Sequence, residues 1–547
     1  MCALSRELEQ DFDVIVVGAG TAGCALAARL SEDARCRVCL LEAGGGGRSP
    51  FVAIPAALVI AQRNRAINWG FRTVPQRELD GRCIPVPRGR GIGGSALING
   101  MVYFRGHPRD YDDWSRAGAS GWSYTEVLPY FCRSEHNENF GPSALHARGG
   151  PMNVRTVTHP NELNFAFLEA AAEAGIPVRD DLMGADTEGA ALRQLCIRDG
   201  TRETSARALL RPALARRNLR VLTRARALRL IIERSRAQAV EIALGQDVLR
   251  VRAARDIVLC AGAIHSPQLL MLSGVGDPRH LGDMGIDVRH ALEGVGRNLH
   301  DHLASPVHMA SASAASYGIS WRALPRDLLQ LAQYAVARSG PLANNIFESA
   351  AFVRTDPRAD RPDVQLVFQP AKRPGPSFPF PLGHGFAISP VGLYPRSRGR
   401  ILLSSADPAA PPLIDPQLLS APEDLQPLLR GMRLARRILH SGAFARYRAR
   451  EIAPGEAAGD SDASLAAYVR AQAYTVHHPV STCRMGGDAL AVVDPQLRVR
   501  GLEGLRVADA AVFPSIIGGN TNAAVVMIAE KAADLILGRP PLPPAQL

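Results

Sequence analysis

Near its start the chain carries a block of apolar positions without polar alternation, Val14-Ile15-Val16-Val17, which stops at Gly18. A run of this length bounded by glycine predicts a strand buried on both faces. Cys24 to Leu30 follows as a helix-forming series, and Arg37-Val38-Cys39-Leu40-Leu41 predicts a second buried strand ending at Glu42. A later run, Asp256 to Ala263, has the same character and passes into small residues. Beyond it Ser266 and Pro267 predict an N-cap and first helical position for a helix over 268–272, ended by Gly274 and Gly276. Shorter strands are predicted over 220–222, 227–232 and 250–253. From about Ser311 to Tyr474 the pattern changes. Strands are predicted over 363–368 and 399–404 between turns such as Pro374-Gly375-Pro376, which implies a sheet with covering helices. Near the end, Val525, Ile528, Ala529, Ala532 and Leu535 recur at helical spacing, with Asn520 or Thr521 as the natural N-cap.

The glycines between the first strand and helix have G-x-G-x-x-G spacing, Gly18-Ala19-Gly20-Thr21-Ala22-Gly23. In that context the spacing predicts a dinucleotide site. Gly18 permits the tight turn, Gly20 lets backbone N–H groups approach a pyrophosphate, and Gly23 lets the helix pack close while its positive end faces the phosphates. Glu42, at the end of the second strand, stands where an acid can hold a ribose hydroxyl. A second glycine-rich stretch, Gly89-Arg90-Gly91-Ile92-Gly93-Gly94-Ser95, is too rich in glycine for a helix or strand interior. It predicts a loop whose backbone comes close to a ligand.

Composition narrows the function. The 547 residues can bury a large core, and 46% apolar with 21% charged residues is the balance of an ordinary folded protein. The net charge of +11 is spread along the chain; Lys372 and Lys531 are the only lysines among 63 basic residues. Without basic clusters interleaved with aromatics, nucleic-acid binding is not expected. The nine cysteines are odd in number and scattered, and Met1 to Glu7 offer no apolar signal region, so a cytoplasmic location is expected. Cys36 and Cys39 have C-x-x-C spacing, but Cys39 falls in a predicted strand, which makes the pair structural. No metal site is predicted. No apolar run reaches a membrane span; the longest, Phe51 to Ala61, is interrupted by Pro55 and leaves room only for peripheral contact with the inner membrane face.

Two C-terminal segments carry further chemistry: His477-His478-Pro479-Val480-Ser481-Thr482-Cys483-Arg484-Met485-Gly486, and Val507 to Pro514 continuing through Gly518-Gly519-Asn520-Thr521-Asn522. With Gly18 to Gly23, Gly89 to Gly106 and Ala261 to Gly276 ahead of them, these motifs make the chain similar to the glucose-methanol-choline (GMC) family of FAD-dependent alcohol oxidoreductases. Ile98-Asn99-Gly100-Met101-Val102-Tyr103-Phe104-Arg105-Gly106 and Asn520-Thr521-Asn522-Ala523 resemble its choline dehydrogenase and aliphatic alcohol dehydrogenase branch. The resemblance implies a mixed α/β fold. A Rossmann-like FAD-binding domain would be assembled from 1–155, 195–310 and 481–547. A substrate domain, an antiparallel sheet covered by helices, would comprise 156–194 and 311–480. Implied contacts to FAD are Gly18, Gly20, Thr21, Ala22, Gly23, Glu42, Ala43, Trp69, Arg88, Gly89, Gly94, Ser95, Asn99, Gly100, Met101, Val102, Ala227, Ala261, Gly262, Asp509, Ala510, Asn520, Thr521 and Asn522.

The same resemblance implies the chemistry. His478 would lie beside flavin N5 and act as base toward an alcohol hydroxyl while the carbon-bound hydrogen leaves as hydride. Histidine suits this because its ordinary pKa near ~6.5 leaves it mostly neutral at neutral pH. Asn520 matches the second catalytic position and can hydrogen-bond the alcohol oxygen without sharing the base role. The helix beginning at Asn522 would aim its positive end at the flavin pyrimidine. Ile98 occupies the place where some family oxidases bond the flavin covalently through histidine, so FAD is expected to be noncovalent. Two other departures are Ala96 and Leu97, where near relatives carry serines, and Ser481, where glycine is usual after His-Pro-Val. Glu348 is a candidate counter-ion for a quaternary ammonium, weighed against a structural role, and His477 is expected to be structural. The expected activity is oxidation of a primary, uncharged alcohol to an aldehyde, with electrons passed to a quinone or similar acceptor. A choline dehydrogenase, or a family lyase or light-driven decarboxylase using the same FAD site, stands as the alternative.

Overall fold

Two sheets place the residues named above around one cavity. The structure is a computed structural model and describes residues 11–372 and 382–547. The Met1 to Glu7 segment and the Pro374-Gly375-Pro376 turn lie outside the described residues.

The first sheet is built from sequence-distant pieces. Strand Phe12–Val17 lies parallel between Val38–Glu42 and Asp247–Leu259, with Val17 opposite both Leu41 and Leu259. Leu219–Thr223 extends the sheet beyond 38–42, and Leu505–Val507 adds a short parallel strand beside 257–259. Their central stretches, 14–17, 38–41 and 257–259, are apolar and buried because helices cover both faces of a parallel sheet. The predicted strands at 250–253 and 256–263 are one continuous strand of 13 residues. Its first part pairs antiparallel with Arg236–Leu244, and its second part pairs parallel with 12–17. Every parallel strand ends at the same edge of the sheet. Val17, Glu42, Leu259 and Val507 are each followed by a loop at that edge, where open α/β sheets bind ligands.

The helix after 247–259 begins five residues earlier than predicted. It runs Gly262–Leu272, so Ser266 and Pro267 lie inside it and Ala261 is the N-cap. Pro267 leaves the carbonyl of Ala263 without its helical N–H, and Thr482 Oγ1 donates to that oxygen at 2.6 Å. Ser266 Oγ instead donates to Asp509 at 2.6 Å. The interior proline is thereby tolerated, and the helix start moves to the cavity.

The second sheet is antiparallel, in the order Ala449–Ala453, Val307–Ser311, His384–Gly392, Val364–Gln369, Ser349–Val353 and Gly189–Leu192. One face carries Leu366, Phe368, Phe386 and Ile388 into a core closed by helix Leu425–Leu439 through Leu428, Met432 and Ala435. The other presents Gln365, Val367, Ser389 and Val391 to the cavity. The 399–404 segment, expected in this sheet, is a strand Gly399–Leu402 in a separate three-stranded sheet with Arg297–Leu299 and Leu413–Asp415. The Phe51 to Ala61 stretch folds into helices Pro50–Ala53 and Leu58–Arg63, with Val52, Leu58 and Ala61 buried. Cys36 and Cys39 are buried and form no disulfide, and among the described residues no helix is long and apolar enough to cross a membrane.

Candidate active site

Helices Thr21–Leu30, Gly262–Leu272 and Asn522–Leu537 all begin at one cavity of about 520 Å³, and in none does the N-cap residue's own side chain cap the first turn. Their free N–H groups and positive ends converge there, which is the arrangement an anionic phosphate ligand requires. Thr21 Oγ1 donates to Asn522 Oδ1 at 2.9 Å and ties two of the three helix starts together. The surrounding loops meet backbone to backbone. A Cβ on Gly18, which adopts φ +103°, would stand 2.7 Å from the Cys260 carbonyl oxygen, and one on Gly94 would stand 2.6 Å from the Gly20 Cα. No side chain fits in either place.

Each FAD-contact residue expected from the sequence lines this cavity, except Gly23. A Cβ on Gly23 would lie 1.8 Å from the Gly18 carbonyl oxygen, so this glycine serves the packing of helix on strand and stands behind the wall. Glu42 is buried at the strand end. Its Oε2 accepts the Ala19 N–H at 2.9 Å, and its Oε1 accepts those of Gly44 at 2.7 Å and Gly91 at 3.0 Å. Burial pushes its carboxyl above the ordinary range despite these three donors. A carboxylate has about four acceptor positions, so one remains for a ribose hydroxyl while the others brace the two glycine loops. Asp509 acts similarly on the far side, accepting from Gly262 N at 2.7 Å, Ser266 Oγ and Ala511 N at 2.7 Å. Arg202, which the sequence reading missed, is buried beneath the 94–99 loop and donates to the carbonyls of Val52, Ala96 and Asn99. An arginine among many in the sequence carries no signal of this role.

At the other pole of the cavity stand His478 and Asn520, with His478 Nε2 3.2 Å from Asn520 Nδ2. Nδ1 of His478 lies 3.0 Å from Nδ1 of His302, and Nε2 of His302 lies 2.9 Å from the carbonyl oxygen of Leu393. His302 is buried and was not anticipated from sequence. Asp301 Oδ1 accepts the backbone N–H of His478 at 2.7 Å and that of His302 at 2.9 Å, which fixes both rings relative to one carboxyl. Burial, reinforced by His302, His477 and Arg88, holds His478 well below the ordinary histidine value; burial likewise lowers His302 to about 4. Both rings are therefore neutral at neutral pH. Asn520 Oδ1 is buried without a partner, an acceptor left open at the cavity.

The remaining candidates resolve into structural roles. Glu348 does not line the cavity. Its carboxylate accepts the Asn161 N–H at 2.9 Å, Asn164 Nδ2 at 2.5 Å and the Tyr317 hydroxyl at 2.9 Å, which leaves it engaged inside the fold. His477 turns the chain with φ +68°, and its carbonyl accepts from Arg88 Nη2 at 2.6 Å. Ile98 lines the cavity with a side chain that offers no nucleophile, as expected. Among the described residues no cluster of histidine, cysteine and carboxylate side chains could hold a metal.

Sheet, glycine cradle and buried imidazole together define an oxidoreductase scaffold for a dinucleotide cofactor. Residues 12–304 and 395–529 match the two family models described as GMC oxidoreductase, and the chain belongs to that family. It is 40% identical over 528 residues to the alcohol dehydrogenase (acceptor) of Pseudomonas putida, an alignment covering 96% of each chain. It is 41% identical to the oxygen-dependent choline dehydrogenase of Rhizobium etli (strain CIAT 652), over 97% of this chain and 96% of that one. Among solved structures, pyridoxine 4-oxidase from Mesorbium loti superposes with a TM-score of 0.87 at 34% identity, covering 96% of this chain and 98% of that one. FAD is the cofactor of this family, and the converging helix starts, the loops that admit no Cβ and the open acceptor on Asn520 fit it.

Proposed function

We propose that the protein oxidises a primary alcohol to the aldehyde, with noncovalent FAD in the cradle and His478 as general base. The observation that carries this reading is the hydrogen-bonded line Leu393 carbonyl, His302, His478, Asn520, which keeps the Nε2 lone pair of His478 directed into the cavity, where it accepts from the Asn520 amide until an alcohol hydroxyl takes that place. Nε2 takes the hydroxyl proton as the alcohol oxygen settles between it and the Asn520 amide. When bound, FAD supplies the acceptor for the hydride released from the carbinol carbon. The fixed ring and amide hold the oxygen in one orientation, which lowers the entropic part of the barrier.

In this reading the expected cradle residues contact FAD, and the chain divides into a cofactor unit (1–155, 195–310, 481–547) and a substrate unit (156–194, 311–480), although strand Val307–Ser311 of the antiparallel sheet falls almost wholly in the first. A choline-type substrate is disfavoured, because Glu348 is spent on Asn161, Asn164 and Tyr317. Electrons then pass to a quinone or similar acceptor, with the protein cytoplasmic and in peripheral contact with the inner membrane. The test is anaerobic mixing of the holoenzyme with a panel of primary alcohols. Bleaching of the flavin absorbance by at least one alcohol supports the reading. A flavin that no alcohol bleaches would point instead to a lyase or light-driven use of the same site.

A further inference from the structure

Among the described residues three arginines are buried to less than a tenth of their surface: Arg105, Arg193 and Arg202. Arg105 is paired with Glu135, its Nη2 2.5 Å from Oε2. Arg202 donates from Nε and Nη1 to backbone carbonyls and the Asn99 side chain, though its Nη2 has no partner among the described residues. Arg193 has neither. It follows strand Gly189–Leu192, and its backbone N–H donates to the Glu348 carbonyl at 2.8 Å, which anchors the main chain at the sheet end. Its side chain is 6% exposed, lines the cavity, and carries a buried Nη2 without any partner among the described residues. A guanidinium keeps its charge inside a protein, and an uncompensated buried charge is one of the costliest features a fold can carry. The counter-charge has to come from what enters the cavity.

The cavity around Arg193 supports this. Gln365, on strand Val364–Gln369, which Ser349–Val353 separates from Gly189–Leu192, is 3% exposed, lines the same cavity, and its Nε2 has no partner among the described residues. Both orphan groups are donors, and no carboxylate of the substrate sheet lines the space: Glu348, the nearest in sequence, is turned away. Phe347, Val367 and Val391 add apolar wall to the same cavity. A cation placed here would meet Arg193 without any acid to offset it.

We propose that Arg193 is the specificity-determining anchor for a carboxylate on the substrate, so that the alcohol oxidised is a hydroxycarboxylate. The planar fork of arginine suits a carboxylate in a way a single ammonium does not. Arg193 is also one of the positive charges that disfavour protonation of His478. A carboxylate docked on Arg193 offsets that charge, so a substrate of this class makes His478 a better base as it binds. The inference rests on the proposed alcohol oxidation and narrows its substrate.

The test uses the holoenzyme with a dye acceptor and matched pairs of ω-hydroxycarboxylate and n-alkanol over a range of chain lengths, with choline as the cationic comparison. The expected result is a kcat/KM ratio favouring the hydroxycarboxylate by roughly 10-fold or more at the best-fitting length. Arg193→Met should lower that ratio by about 100-fold, the worth of a charge-assisted hydrogen bond, and Arg193→Lys by less. Unreactive n-carboxylates should perturb the flavin spectrum saturably in the parent and fail to do so in Arg193→Met. Preference for the alkanol or for choline at every length overturns the proposal, as does an Arg193→Met enzyme that keeps its ratio and shifts only its flavin midpoint potential. If no alcohol reduces the flavin while n-carboxylates still bind in an Arg193-dependent way, the anion site stands and the alcohol-oxidase reading falls.

Discussion

The Nδ1 atoms of His302 and His478 lie 3.0 Å apart, so one ring donates to the other, and the carbonyl of Leu393 decides which. That oxygen is 2.9 Å from His302 Nε2 and can only accept, so Nε2 carries the proton and His302 Nδ1 is an acceptor. His478 therefore donates from Nδ1 and keeps its lone pair on Nε2, facing Asn520. The opposite tautomer would set the Leu393 oxygen against an unprotonated His302 nitrogen. His302 is thus a positioning residue for the base, one hydrogen bond removed from the chemistry.

Removing the base and removing its support should differ. His478→Ala is expected to retain FAD and slow flavin reduction by about two to four orders of magnitude. His302→Phe leaves the ring of His478 free to take either tautomer, with an expected loss of roughly 10- to 100-fold. Its pH profile should also move, which a packing defect alone would not cause. Stopped-flow reduction under anaerobic conditions, compared across pH, checks both. An unaltered profile in His302→Phe would remove it from the proton path.

The pH dependence has a defined sign. His478 sits well below its ordinary value, chiefly because burial penalises the charged ring and secondarily because His302, His477, Arg88 and Arg193 repel the proton. A ring with a lowered pKa stays neutral as pH falls through ~6.5, where an exposed histidine would be half protonated. The rate constant for flavin reduction by a simple primary alcohol should stay level from neutral pH down past that point and fall only at lower pH. A half-drop near ~6.5 would show that the base is solvated.

Ser481 is the one departure from the family motif whose cost can be read directly. It adopts φ +75°, the left-handed region that glycine occupies freely, and its buried hydroxyl has no partner. The backbone strain costs about 1 kcal/mol and the orphan hydroxyl about as much again. Ser481→Gly removes both and should stabilise the holoenzyme by roughly 1 to 2 kcal/mol in thermal unfolding, after the entropy of a new glycine is deducted. Ser481→Ala removes the hydroxyl alone and should recover less. A Ser481→Gly protein melting below the parent would mean that the hydroxyl has a partner in the bound cofactor.

Much of this site was legible in the sequence because its signals are local. Gly18 to Gly23 and Glu42 are read from spacing that strand and helix geometry impose, and His478 and Asn520 stand in dense motifs. The relay partner His302 was not legible, because its role depends on a carbonyl 91 positions further along the chain. Arg193 was hidden for another reason: among so many arginines, an unpaired one is distinguished only by what fails to surround it. The helix start at Gly262 was misread because Pro267 looked like a first-turn residue. The Thr482 hydroxyl, distant in sequence, satisfies the carbonyl that the proline leaves free.

For the proposed membrane contact, expected from the sequence at Phe51 to Ala61, another surface is the better candidate. Val52, Leu58 and Ala61 of that stretch are buried, so little of it is available to lipid. By contrast, helix Leu324–Ala337 buries only Tyr334, and around it Trp321 is 90%, Val336 88% and Leu329 72% exposed. Apolar side chains of this size, with Arg322 and Arg338 flanking the helix, match an interfacial segment that inserts its apolar face among acyl chains while its cations meet anionic headgroups. The holoenzyme should therefore cosediment with vesicles containing phosphatidylglycerol and bind purely zwitterionic vesicles less. Replacing Trp321 and Leu329 with serine should release it while leaving dye-linked alcohol oxidation intact, because neither residue lines the cavity. Reduction of a long-chain quinone held in the vesicles should fall with the loss of binding. If the parent protein stays in the supernatant at low ionic strength, the membrane reading fails, and a water-soluble acceptor would have to carry the electrons.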